Sequence, residues 1–263
     1  MTLGADAAPL RASRRSVVRG AAWSVPVVAV AATAPAYAAS PCDPRPYTLD
    51  WGNPTVTTYT PPPQTGSGAI TTTAYALAAA GSGASNVAVI LTSSITGSVT
   101  RAADNMAVST ETNVGGLNLG PGLNLSHAAP VTSGIANRQT LTISFDRAVT
   151  GLSFWLTDID STLNGSGTKR DPYAGWWDRV ALSGTYTQSR DALVLGSGTT
   201  ADPWYFDDPN TNVGNESGGA RVKVTYPGTI AAGDTITLQY WTTQSDGNQR
   251  IFLSDLSWTA RGC

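Results

Sequence analysis

Lysine and glutamate are almost missing from this chain, with two of each in 263 residues against 14 arginines and 16 aspartates. Both favour helices, so their scarcity argues against a helix bundle or a coiled coil. Charge of any kind is thin, at 13% of residues, roughly half the share usual in a soluble protein. The formal net charge is −2, so no basic field exists to hold a phosphate backbone, and nucleic acid is not expected as a partner. One histidine, His127 in a leucine-rich loop, two cysteines and no C-x-x-C pair leave nothing for a zinc or dithiol redox centre. A G-x-S-x-G nucleophile elbow and a phosphate-cradling glycine motif are also missing, so no enzyme is expected.

What is present suits strands. Threonine, valine, tryptophan and tyrosine are plentiful, and 27 glycines and 16 prolines cut the chain into short pieces. Strand-like segments run through Tyr47–Trp51, Thr55–Thr60, Ile70–Leu77, Val87–Thr92, Leu141–Phe145, Leu152–Thr157, Val180–Ser183, Ala192–Leu195, Arg221–Tyr226, Thr235–Thr242 and Ile251–Trp258. Leu141, Ile143 and Phe145 share one face of their segment, and Val222, Val224 and Tyr226 share one face of theirs. Such alternation belongs to a sheet with one dry and one wet face. The expected fold is all-β, an antiparallel β-sandwich of jelly-roll type forming one domain over residues 39–263.

Residues 1–38 read as an address. Ser13-Arg14-Arg15-Ser16-Val17-Val18 sets a twin arginine before apolar residues, and a weakly apolar stretch leads to Ala36-Tyr37-Ala38, a small-x-small cleavage pattern. This order resembles the twin-arginine class of export signal, and the expected destination is outside the cell, free or associated with the wall. No later apolar run has the length of a membrane span. In an oxidising compartment, Cys42 and Cys263 are expected to form a disulfide, with two free thiols or pairing between chains as the alternatives.

Two groups of residues could carry function. Asp158 and Asp160 lie two apart on a strand end and point the same way, and adjacent carboxylates repel unless a cation, a donor or water separates them. With Asn164, Asp171 and Asp178 they form a candidate site for one Ca2+, the alternative being a solvated rim of turn-capping acids. Asp255 sits in an apolar strand and reads as a hydrogen-bonded structural carboxylate. The second group is aromatic: Tyr173, Trp176 and Trp177 lie between Asp171 and Asp178, and Trp204, Tyr205 and Phe206 precede Asp207 and Asp208. Flat rings beside carboxylates suit sugar recognition, whereas the plain alternative is that they pack.

The stretch from Leu141 to Asp160, with Phe154-Trp155-Leu156-Thr157-Asp158-Ile159-Asp160 at its end, resembles a segment of bacterial secreted and surface proteins marked by an F-x-L-x-D-I-D strand. Ala148 stands where that pattern has proline. Trp177-Asp178-Arg179-Val180 resembles the companion strand and Ile251–Trp258 the closing one, so the likeness covers about residues 140–260. It implies a galactose-binding-like or jelly-roll sandwich serving as a surface or adhesion module. The expected function is therefore non-catalytic binding of a glycan or envelope polymer. The alternatives are a self-associating surface protein and a polysaccharide hydrolase.

Overall fold

The segment Arg138–Phe145 buries Gln139, Leu141, Ile143 and Phe145 and leaves the residues between them half-exposed. That period of two recurs through a computed structural model that describes residues 42–64, 68–128, 134–163, 175–243 and 249–263. The described strands are β1 (Pro44–Leu49), β2 (Thr57–Thr58), β3 (Ile70–Ala76), β4 (Val87–Thr96), β5 (Thr100–Arg101), β6 (Leu123–Ala128), β7 (Arg138–Phe145), β8 (Val149–Thr157), β9 (Ser161–Leu163), β10 (Gly175–Leu182), β11 (Thr187–Arg190), β12 (Val194–Leu195), β13 (Tyr205–Phe206), β14 (Val222–Thr225), β15 (Thr229–Ile230), β16 (Thr235–Thr242), β17 (Gln249–Leu253) and β18 (Leu256–Arg261). A single 3-10 turn at Val114–Gly116 is the helical content among the described residues. None of their helices is long and apolar enough to cross a membrane.

One sheet has the order β2-β3-β4-β7-β16-β10-β9, antiparallel throughout. The other is organised on β8. Leu156 of β8 faces Leu253 of β17 on one edge and Val222 of β14 on the other. Thr150 likewise lies between Thr259 of β18 and Thr229 of β15. β1 extends the sheet beyond β18, while β6 and then β5 extend it beyond β17. β11 borders β14, and the small hairpin β12–β13 meets β10 through a bridge between Val180 and Trp204.

The inner faces of the two sheets share one core. Leu91, Ile143 and Leu238 from the first sheet join Leu125, Leu156 and Trp258 from the second. Phe145 meets the ring of Trp258 edge-on at 5.2 Å. Each such side chain contributes about 1.5–3 kcal/mol by leaving water, so the alternating pattern is what closes the sandwich. Cys42 and Cys263 form a disulfide within the chain, with Cα atoms 4.7 Å apart. The reason is local: Pro44 pairs with Arg261 at the end of the β1–β18 ladder, so the two cysteines leave that ladder side by side.

The all-β sandwich agrees with the sequence expectation, and two details differ. His127, expected in a loop, lies in β6, where Leu123, Leu125 and His127 all turn inward. Ile251–Trp258, expected as one strand, divides at Ser254-Asp255, so that β17 serves β6 while β18 serves β1. Asp255 accepts a hydrogen bond from the Trp51 N–H at 3.0 Å, the structural part expected of it.

Candidate binding face on strand β10

β10 sorts the candidate residues by alternation alone. Asp178, Val180 and Leu182 point into the sandwich, and Trp177 and Arg179 alternate with them on the outer face, as does Ala181, which is covered there at 2% exposure. Asp178 therefore lies beneath the strand, on the side of Trp176, and Trp177 lies above it.

Beneath, Asp178 is 1% exposed. Its Oδ1 accepts the Tyr240 hydroxyl at 3.0 Å, and its Oδ2 accepts the Asp160 N–H at 3.2 Å. Burial, then the charges of Asp160 and Asp158, push its carboxyl well above the usual range. Asp160 accepts Trp176 Nε1–H at 2.9 Å on Oδ1 and the Val213 N–H at 2.6 Å on Oδ2. Burial still pushes it up to about 6 against those two donors. Asp158, 8% exposed with φ of 66°, is raised by burial and by Asp160, with Arg250 opposing.

The structure thus brings Asp158, Asp160 and Asp178 to one end of the sandwich, and no described lysine or arginine forms an ion pair with them. Asn164 and Asp171, the other expected calcium ligands, lie outside the described residues, as does Tyr173. Among the described residues, no three acidic, histidine or cysteine side chains are grouped as a metal ion requires. His127 is fully buried against the Tyr240 ring, with centroids 4.8 Å apart, and neither ring nitrogen has a hydrogen-bond partner. Burial lowers its pKa to about 4.

Above, the half-buried rings of Trp177 and Tyr205 meet edge to face at 6.1 Å. The Arg179 guanidinium lies over both, at 4.3 Å from the Trp177 centroid and 4.8 Å from that of Tyr205. Trp177 Nε1–H is anchored on the Phe206 carbonyl at 2.8 Å, and Arg179 Nη1 donates to the Asp178 carbonyl at 2.8 Å. Burial lowers the Arg179 pKa to about 10, with Asp178 opposing, so the group stays charged at neutral pH.

In comparisons with known proteins, no family model, curated protein or solved structure matches this chain.

The six rings expected to share a binding role divide. Trp204 and Phe206 are 0% and 1% exposed and belong to the core, which corrects the expectation at both positions: neither offers a face to a ligand. They flank Tyr205 in an extended segment, so if one ring of three points out, its neighbours must point in. Trp176 turns away from Trp177 for the same reason and hydrogen-bonds Asp160. Arg179 is the functional candidate that composition did not single out. Its signal was the spacing Trp177-x-Arg179, which sets a cation beside a ring on one strand face.

Proposed function

We propose that this protein is an extracellular, non-catalytic β-sandwich that binds carbohydrate on the outer face of β10. The observation that carries the reading is the arrangement of Trp177, Arg179 and Tyr205: two partly exposed rings at the surface with a guanidinium between them. Rings of this kind stack on the C–H faces of sugars, while a guanidinium offers several N–H donors to hydroxyls. The disulfide supports an oxidising destination, in keeping with the export signal at residues 1–38. Burial of the only histidine in the chain supports the non-catalytic part, because His127 cannot reach a substrate from between the sheets.

The test is a glycan array probed with the mature chain, followed by Trp177→Ala and Tyr205→Ala on whatever is bound. Each variant is expected to lose about tenfold to a hundredfold in affinity at a temperature where circular dichroism shows it still folded. Affinity that survives both substitutions sinks the aromatic site. Silence of the wild type across the array, together with assembly in solution, supports the self-associating surface protein instead.

A further inference from the structure

Resting on that reading, we propose that the aromatic pair is one end of a longer groove that runs along β10 and holds an uncharged, extended polysaccharide strand. Past Arg179, the next outward residue of β10 is Ala181, which lies opposite Gln239 of β16. There a cleft of about 300 Å³ opens between Ala181, Ser183, Thr237 and Gln239 on the sheet and Thr199 and Thr200 on the neighbouring loop. The loop is fixed to the strand by the Leu182 N–H, which donates to the Gly198 carbonyl at 2.8 Å. Ser183 and Thr237 tie the floor together: the Ser183 N–H donates to the Thr237 carbonyl at 2.9 Å, and the Thr237 N–H donates to Ser183 Oγ at 2.8 Å.

Ser183 also lines a second cleft, of about 410 Å³, that continues past Tyr226 and Ile230 to Asp234. From Trp177 to Ser183 the strand advances about 20 Å at roughly 3.3 Å per residue, so the track accommodates a chain rather than a single sugar. The lining states the chemistry. Between Arg179 at one end and Asp234 at the other, it consists of hydroxyls, an amide and apolar side chains such as Leu182, Ile230 and Ile236, with no row of charges to meet an acidic or basic polymer. Gln239 supplies the amide of that wall, and its Oε1 is covered and without a hydrogen-bond partner. A sugar hydroxyl in the cleft is a donor that would satisfy this amide once the side chain turns toward it, and it carries no charge to be desolvated.

The experiment measures affinity against chain length by calorimetry, with cello-oligosaccharides and chito-oligosaccharides from dimer to hexamer as probes. Wild-type protein is expected to gain at least about tenfold in affinity between dimer and hexamer. Thr200→Trp, which fills the cleft from an exposed position, and Gln239→Ala, which removes the acceptor, are each expected to erase that gain while the protein melts normally. Affinity that is flat with length, or a gain that persists in Thr200→Trp, overturns the groove and leaves the aromatic site standing. No binding of any length by the wild type overturns both. Tight binding of charged polysaccharides in preference to these probes overturns the proposed ligand class.

Discussion

Asp158, Asp160 and Asp178 are buried acids whose carboxyls are all raised, so the folded chain keeps protons that the unfolded chain releases. Their contribution is therefore fully present below the usual 3.8 and is lost as pH rises, through about 6 for Asp160, with Asp158 and Asp178 acting in the same direction. Asp255, raised to about 7 by burial, acts in the same direction. His127 acts in the opposite one: with its pKa lowered from 6.5 to about 4, it costs stability as pH falls through that window. Above pH 6.5 the acids act alone, and the melting midpoint is expected to fall between pH 6.5 and 8. Asp158→Asn removes one of these charges and suits the positive φ, which asparagine tolerates. Each unit of raised pKa costs about 1.4 kcal/mol once the group ionises. The variant is thus expected to melt several degrees above wild type at pH 8 and to show a shallower pH slope by circular dichroism. A wild-type midpoint that rises over that range sinks the interpretation. The same melts decide the calcium proposal, because an ion at this cluster would neutralise the same charge. Calcium should then raise the wild-type midpoint at pH 8 and EDTA reverse it, and an unmoved midpoint retires the ion while leaving the proton effect in place.

β10 and its neighbouring hairpin show how much of the site alternation could disclose. The strict period that marked Leu141–Phe145 also assigns Trp177 outward and Asp178 inward, and it divides Trp204, Tyr205 and Phe206 in the same way. Other elements carried no such signal. All four residues of β11 are exposed, so only its pairing with β14 makes it a strand. β6 was hidden by the opposite condition, since Asn124 and Ser126 are buried along with the leucines and no dry and wet faces can be told apart. The segment between β12 and β13 rests on Gly198, whose φ is 78°, and a Cβ there would lie 2.4 Å from the Trp204 ring and 2.7 Å from the Tyr186 hydroxyl. Gly198→Ala is expected to cost about 2–3 kcal/mol, seen as a lower melting midpoint and altered tryptophan fluorescence. Gly81→Ala, with a φ of 73° and open space around the added carbon, should cost only about 1 kcal/mol. Equal losses in the two variants would show that backbone strain, not the seating of Trp204, sets the effect.

At the scale of the whole molecule, two sheets close over one core and a covalent bond joins the ends of the β1–β18 ladder. The class of fold was legible because it depends on local alternation. The order of strands was not, because contacts such as Thr150 between Thr229 and Thr259 join residues far apart in the chain, and nothing local encodes them. The disulfide closes 221 residues of sequence, and on the loop-closure model its removal frees up to about 5 kcal/mol of unfolded-state entropy. Replacing both Cys42 and Cys263 by serine is expected to lower the melting midpoint by roughly 10 °C and to increase the denaturant slope as the unfolded chain expands. An unchanged midpoint would show that the β1–β18 ladder alone holds the ends. The bridge also bears on proteolysis. Because Cys42 and Cys263 are joined, a single cut in any loop between them leaves two fragments that stay covalently linked until the bond is reduced.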